Sequence, residues 1–131
     1  MSTDQSLGPP PAQAYCIYMG YDQALWVGEY GTSRLVKYDL DAGTDQRYGF
    51  GAGRYGSEAP FAPRTGAVGE DDGYLVSFVY DAATERSEVV ILDAQDISAG
   101  PIGRVLLPVG VPNGFHACWV PAEDLESARP A

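Results

Sequence analysis

The sequence is poor in the residues that build metal and redox centres. Its 131 residues include one histidine and two cysteines. A single imidazole cannot fix a coordination geometry, because stable metal sites in proteins draw on several side-chain ligands. Cys16 and Cys118 lie far apart and form no CxxC pair, so the patterns of a zinc finger and of a dithiol redox centre are absent. Both lie in apolar, strand-like runs, and we expect them to be reduced and buried.

Basic residues and long apolar runs are also scarce. Lys and Arg total 8 against 18 Asp and Glu, which gives a formal net charge of -10. Nucleic acids and anionic membranes are bound through clustered basic side chains, so this charge argues against both as partners. No stretch reaches the roughly 18 apolar residues of a membrane span, and the first residues lack the apolar core of a signal peptide. We therefore expect a cytoplasmic protein with no transmembrane segment.

Turn-forming residues, by contrast, are abundant. The chain has 16 Gly and 10 Pro, a content typical of many turns and few long helices. Its length fits one domain. We predict an all-β, antiparallel fold over residues 14–121, a disordered tail over residues 1–13, and a polar tail over residues 122–131 that could form a frayed helical turn.

Alternating apolar and polar residues place the strands within this fold. Residues 14–19 and 24–27 are strand-like, and residues 33–40 and 44–50 predict a hairpin around a turn at Asp41, Ala42 and Gly43. Four further strands follow in immediate succession, so residues 58–107 predict one four-stranded antiparallel sheet of the kind that forms a propeller blade. These strands begin near Glu58, Tyr74, Ser87 and Ile102. The acidic stretch Glu70–Asp72 between two of them is predicted to be a solvated turn.

A glycine-rich segment, Gly51 to Gly56, has the GxGxxG spacing of a dinucleotide-binding loop. That loop works only where its last glycine opens a helix, because the helix N-terminus holds the pyrophosphate. Here Pro60 and Pro63 follow, and proline breaks a helix interior. We predict a wide loop between strands and no bound dinucleotide.

His116 lies near the C-terminal end, after a stretch that contains Pro108, Gly110, Pro112 and Gly114. Alternating aromatic, small and apolar residues surround it, which predicts a short strand entered by a rigid turn. From the residue types alone, such a histidine is more often a hydrogen-bonded structural residue than a metal ligand.

Four sequence blocks together resemble the motifs of one known family and occur in the same order as in that family. They are Ser57–Phe61, Glu70–Leu75, Ser87–Ala94 and Val111–His116. In these blocks, and from about Tyr15 to Pro121, the chain resembles the C-terminal end of the carotenoid cleavage oxygenases, the family that includes the lignostilbene dioxygenases. The resemblance implies about two blades of a seven-bladed β-propeller.

The resemblance also implies roles for two residues. In the family one non-haem Fe(II) is bound by four histidines from four blades, and His116 matches the last of them. A glutamate that accepts a hydrogen bond from this ligand is matched by Glu58, and such an acceptor fixes the tautomer of a ligating imidazole. The implied reaction inserts O2 across a C=C bond of an apolar, conjugated carotenoid, apocarotenoid or stilbene-type substrate. No catalytic residue beyond the metal site and no other cofactor-binding residue is assigned.

Two interpretations follow. In the first, the chain is the C-terminal part of such a dioxygenase and is inactive alone, because it holds one of four iron ligands and needs the missing blades or self-association. In the second, it is a non-catalytic β-propeller fragment with a structural or protein-binding role. Some aromatic side chains could line a substrate passage but fit a core equally well, so they are not assigned to the site: Phe61, Phe78, Phe115 and Trp119.

Overall fold

A computed structural model of the chain describes residues 16–20, 24–29, 33–112 and 116–127. Within these residues the chain forms nine strands in two antiparallel sheets, one 3-10 turn and one short helix. The predicted antiparallel β fold is confirmed, and none of the described residues between Tyr74 and Leu107 forms an α-helix. The tail predicted for residues 1–13 lies outside the described residues.

The first sheet has four strands in sequence order. They are β1 (Cys16–Gly20), β2 (Ala24–Glu29), β3 (Arg34–Asp39) and β4 (Thr44–Gly49), each antiparallel to the next. The β3–β4 turn begins where Asp39 Oδ1 accepts hydrogen bonds from the backbone N–H groups of the next turn residues. It ends at Gly43, whose φ of +65° favours glycine. The predicted hairpin is therefore confirmed.

The second sheet contains the other five strands. They are β5 (Arg54–Gly56), β6 (Phe61–Pro63), β7 (Gly73–Asp81), β8 (Arg86–Asp93) and β9 (Pro101–Leu106). The order is β5-β7-β8-β9, and β6 pairs with the opposite end of β7 from β5. Strands β5 and β6 are thus two halves of one edge strand. With β5 and β6 counted as one edge, the sheet is four strands wide, as predicted for one blade-like unit.

The division of this edge strand corrects two predicted boundaries. The predicted strand at residues 58–61 begins instead at Phe61, and the predicted loop before it contains β5. Gly56 pairs with Val79 and Phe61 with Leu75, so residues 57–60 face only residues 76–78 of β7. The edge carries one extra residue, which makes a β-bulge. Periodicity cannot reveal a bulge, because the alternation fails where the residue is inserted.

The core lies between the two sheets. Alternate residues of β7 and β8 point to one face, and the side chains of Leu75, Val79, Val90 and Leu92 are fully buried there. They form one apolar cluster with Leu35 of β3, Phe50 directly after β4, Ala59 between β5 and β6, and Ala94 and Ile97 after β8. The cluster joins the sheets, because burial of apolar surface is the main favourable contribution to folding.

Polar contacts also link the sheets at one end. Lys37 Nζ lies 2.7 Å from an Asp71 carboxylate oxygen. Gln46 donates to the Gln95 carbonyl at 3.0 Å and accepts from the Ile97 N–H at 3.0 Å. Burial alone would raise the pKa of Asp71, but hydrogen bonds from Lys37 and Gln95 outweigh it and hold the pKa below its ordinary value. The turn predicted at residues 70–72 is present at residues 70 and 71, but Asp71 is half-buried and pairs with Lys37 of the other sheet, so the prediction that it is only solvated is wrong.

The chain after β9 is largely irregular. Residues 107–112 and 116–120 have no regular secondary structure, and α1 (Ala122–Ser127) follows within the predicted polar tail. The strand predicted around His116 is wrong, because the Ala117 N–H donates to a side chain instead of a neighbouring strand. Cys118 is exposed, so its predicted burial is also wrong. The side chain of Cys16 lies outside the described part of the chain.

Candidate functional site

Glu58 and His116 meet across 58 residues of sequence. The Nδ1 atom of His116 lies 2.9 Å from Glu58 Oε1. The glutamate side chain is 9% exposed, whereas the histidine side chain is 87% exposed. With Nδ1–H donated to the carboxylate, the other ring nitrogen, Nε2, carries the lone pair that a metal ion would need. The structure thus brings together the two residues that the resemblance singled out.

The second oxygen of the Glu58 carboxylate is also used. Glu58 Oε2 accepts a hydrogen bond from the backbone N–H of Ala117. One carboxylate therefore holds both the imidazole ring and the backbone next to it. Hydrogen bonds to a charged acceptor are stronger than neutral ones, so this pair fixes the position of a segment that has no strand partner. No sequence signal points to the Ala117 contact, because any residue except proline offers a backbone N–H.

Ser87 anchors the same segment nearer to its start. The Ser87 carbonyl accepts from the Leu107 N–H at 2.9 Å, and its hydroxyl accepts from the Val111 N–H at 2.8 Å. The Ser87 side chain is buried on β8. The polypeptide leading to His116 is thus held to the second sheet at two places, Ser87 and Glu58. Sequence analysis placed Ser87 at the start of a strand and missed this role.

The arrangement can supply one ligand of a metal site. Among the described residues, no group of three or more His, Cys, Asp or Glu side chains is placed to hold a metal ion. Imidazole is a suitable ligand for iron, zinc and copper, and the hydrogen bond at Nδ1 favours metal binding through Nε2. His116 therefore fits a shared site whose other ligands come from outside the described residues.

A second polar cluster lies on the core side of the second sheet. Glu88 is 5% exposed and accepts hydrogen bonds from Arg54 and from Arg104 Nη1, the latter at 2.9 Å. Arg54 also donates to Asp81 at 2.9 Å. The cluster joins β5, β7, β8 and β9, and its two acidic and two basic side chains neutralise one another. It fastens strands together and offers no open ligand position.

The aromatic residues considered for a substrate passage occupy different surroundings. Phe61 packs against the core, and Phe78 is 42% exposed. Trp119 is half exposed and lines an open, mainly apolar groove of about 740 Å³ with Tyr74 and Ile91. Phe115 lies outside the described residues. Of the three described aromatic residues, Trp119 alone lines this groove.

The glycine-rich segment does not form the geometry of a dinucleotide site. Its last glycine, Gly56, ends strand β5, and no helix begins there. Gly51 and Gly53 have positive φ values of 102° and 71°, which allow the tight turn that leads into β5. The prediction of a loop holds for residues 50–53. No helix within the described part of the chain is long and apolar enough to cross a membrane.

Comparison with known protein families gives one extended match. Residues 4–121 match the family model described as RPE65, retinal pigment epithelial membrane protein. The chain is 45% identical over 105 residues to carotenoid 9,10(9',10')-cleavage dioxygenase 1 of Arabidopsis thaliana, covering 70% of this chain and 19% of that protein. It is 42% identical over 85 residues to apocarotenoid-15,15'-oxygenase of Synechocystis, covering 65% and 17%. The chain thus spans about a fifth of the length of these relatives.

Comparison with solved structures supports the same match. The fold superposes on cobalt-substituted Synechocystis apocarotenoid oxygenase with a TM-score of 0.67 and 36% sequence identity. The superposition covers 72% of this chain and 21% of the other. Most of the chain therefore corresponds to part of a larger enzyme structure.

Proposed function

Because the chain belongs to the family of RPE65 and the carotenoid cleavage oxygenases, we propose that it is the C-terminal part of a non-haem Fe(II) dioxygenase. Its two sheets would be about two blades of a seven-bladed β-propeller. The complete enzyme would use O2 to cleave a C=C bond of a carotenoid, apocarotenoid or stilbene-type substrate. Relatives named for cleavage of carotenoids and of lignostilbene support this range of apolar, conjugated substrates.

The observation that carries the proposal is the hydrogen bond between Glu58 and His116. In the proposed enzyme His116 is one of four histidine ligands and binds iron through Nε2. Glu58 keeps the proton on Nδ1, orients the ring and raises the basicity of the ligand. Because the Glu58 side chain is nearly buried, its carboxylate has little access to water and accepts from the His116 ring and the Ala117 N–H instead.

The bound iron would supply the activation of O2, since neutral imidazole ligands leave it electrophilic and with open positions. The residues of this chain hold the ligand His116 in position. Glu58 holds the ring of His116 and the backbone of Ala117, and Ser87 holds Val111. The ligand is therefore placed before the metal binds, and less conformational entropy is lost on binding.

The proposal is tested in the complete protein that contains this segment. His116→Ala should abolish iron retention and substrate cleavage. Glu58→Gln should weaken iron affinity roughly ten- to a hundred-fold, the usual effect of losing such an acceptor. Glu123→Gln changes an exposed glutamate of α1 and serves as the control. Iron content is measured by elemental analysis and turnover by oxygen consumption. Unchanged iron content in His116→Ala would place the ligand elsewhere.

A second candidate function is a non-catalytic structural or protein-binding module. Exposed apolar side chains on the second sheet favour it, since such patches mark contact surfaces. They include Tyr55, Phe78 and Val105, which the strand register places on the same face. In the dioxygenase proposal the missing blades cover this face, and the 131-residue chain alone should self-associate and retain no iron. A well-behaved monomer in sedimentation experiments would favour the independent module.

A further inference from the structure

The bulge at residues 57–60, which contains Glu58, begins with an unusual pair of residues, Ser57 and Phe78. Ser57 N–H donates to the Phe78 carbonyl at 2.7 Å, as a regular antiparallel ladder requires. The return bond differs. The Phe78 N–H donates to the Ser57 hydroxyl at 3.0 Å instead of to the Ser57 carbonyl. The Ser57 hydroxyl thus replaces the Ser57 carbonyl as the acceptor in the ladder.

The Ser57 carbonyl has a different partner. It lies 3.2 Å from the Ser77 hydroxyl, which shares its one hydrogen between this carbonyl and the Phe78 carbonyl at 3.3 Å. Ser77 lies in the middle of β7, faces the core and is 1% exposed. The Ser57 hydroxyl meanwhile donates to the Glu58 carbonyl at 2.7 Å. Every polar group of the bulge named here therefore has a partner.

We propose that Ser57 and Ser77 are positioning residues that form the bulge and thereby aim Glu58 at His116. The proposal rests on the proposed function, in which Glu58 orients an iron ligand. It adds a specific cause for the direction of the Glu58 side chain. The two serines act on the backbone and do not contact the imidazole.

The physical step is a rotation of one peptide unit. A carbonyl that leaves the ladder turns its peptide plane, and the next side chain changes direction with it. The ladder resumes where the Val76 N–H donates to the Pro60 carbonyl at 3.1 Å. Without the Ser57 hydroxyl, the Phe78 N–H needs a new acceptor, and the nearest in a regular ladder is the Ser57 carbonyl. The edge then straightens, and Glu58 turns away from His116.

The experiment measures the Glu58 contacts directly in the 131-residue chain, without added metal. His116 is the only histidine, so [15N]histidine labelling gives one set of ring signals whose shifts report the tautomer. Hydrogen exchange, read by mass spectrometry, reports protection of the Ala117 amide. The variants are Ser57→Ala, Ser57→Thr, which keeps the hydroxyl, and Glu58→Gln. Ser98→Ala removes one hydroxyl hydrogen bond in an exposed loop and is the matched control.

In Ser57→Ala we expect the Nδ1–H tautomer to be depleted and the Ala117 amide to exchange roughly tenfold faster or more, as after loss of a charge-assisted hydrogen bond. Ser57→Thr and Ser98→Ala should match the parent chain. Circular dichroism and urea unfolding show whether each variant keeps its fold; if Ser57→Ala unfolds, Ser77→Ala takes its place with the same expected changes.

The two possible failures are distinguishable. If Glu58→Gln alters the tautomer and the Ala117 exchange while the folded serine variant leaves both unchanged, the bulge proposal is overturned and the proposed function stands. If neither Glu58→Gln nor the serine variant alters them, the Glu58–His116 pairing is absent in solution. That result overturns the proposed function together with the bulge proposal.

Discussion

The second sheet and the segment after it differ in how they are held. In the sheet, Leu75, Val79, Val90 and Leu92 have no exposed surface, and every strand pairs with a neighbour. In the segment, the side chain of His116 is 87% exposed, and side-chain hydrogen bonds from the sheet take the place of a ladder. Stability therefore resides in the sheet, and the candidate ligand resides on a tethered loop.

This difference follows a general division of labour in proteins. A packed scaffold tolerates few changes but positions loops accurately, and the loops carry the groups that react. Here the division is unusually clear, because the segment is held by a few identifiable tethers, namely the hydrogen bonds that Ser87 and Glu58 accept from it. Substitutions in the core should unfold the whole chain, whereas substitutions at the tethers should release the loop and leave the sheets folded. The predictions below test this separation.

The largest effect on the free energy of unfolding is expected from a substitution in the core. Leu92→Ala removes a fully buried side chain from the cluster between the sheets and should lower the free energy of unfolding by about 3 kcal/mol. Leu106→Ala, at a residue that is 80% exposed, is the control and should change it by less than about 0.5 kcal/mol. Urea titration measures both. Equal losses would mean that the face between the sheets is not the core.

A smaller loss is expected from the buried ionic cluster. Glu88→Gln leaves Arg54 and Arg104 without their shared carboxylate, and it should cost about 2 kcal/mol, because both guanidinium groups retain some access to water. Asp45→Asn breaks the exposed pair with Arg47 and should cost only about 0.5 kcal/mol or less. The same urea titrations compare them. A Glu88→Gln loss no greater than that of Asp45→Asn would show that this cluster does not stabilise the sheet.

The contact between the sheets should depend on pH. The pKa of Asp71 lies below its ordinary value, so its pairing with Lys37 stabilises the fold fully above the unfolded-state pKa and is lost as the pH falls from there through the folded-state pKa. Asp71→Asn should therefore cost about 1.5 kcal/mol at neutral pH, and this difference from the parent chain should shrink in acid.

Urea titrations at neutral and acidic pH give the difference directly. Lys37→Gln removes the cationic partner, so in that background Asp71→Asn should have a smaller effect at neutral pH. A difference that grew as the pH fell would have the wrong sign for a carboxyl group whose pKa is lowered by folding.

Sequence reasoning predicted these two regions with unequal success. Strands β3, β4, β7, β8 and β9 follow from alternation and turn residues, because their side chains face a core on one side and their ends are marked by Gly, Pro and Asp. The edge strand predicted to begin at Glu58 begins at Phe61, because an inserted residue breaks the alternation there. Around His116 the residue pattern predicted a strand, yet the backbone bonds to Glu58 instead. Propensity describes one segment at a time and cannot foresee a side chain 58 residues away.

The pairing of Glu58 with His116 was foreseen through the family resemblance alone. No periodic pattern connects the two residues, and neither residue type is unusual in its own segment. Lys37 and Asp71 show the same limit, since an acidic turn looks solvated until a cation from another sheet lies beside it. Long-range polar contacts depend on the packing of the sheets, and that packing is fixed by the apolar cluster.

The smallest effect on stability, and the sharpest on the loop, is expected at Ser87. Ser87→Ala removes the acceptor of the Val111 N–H, and the loss should be about 1 kcal/mol or less, because Val111 is partly exposed and water can replace the hydroxyl. The Val111 amide should exchange roughly five- to tenfold faster, while amides in the middle of β8 keep their rates. Ser98→Ala, in an exposed loop, should change neither. Hydrogen exchange read by mass spectrometry resolves both sets of amides. If β8 amides lost protection together with Val111, loop and sheet would open as one unit, and the chain would not divide into a stable scaffold and a tethered ligand segment.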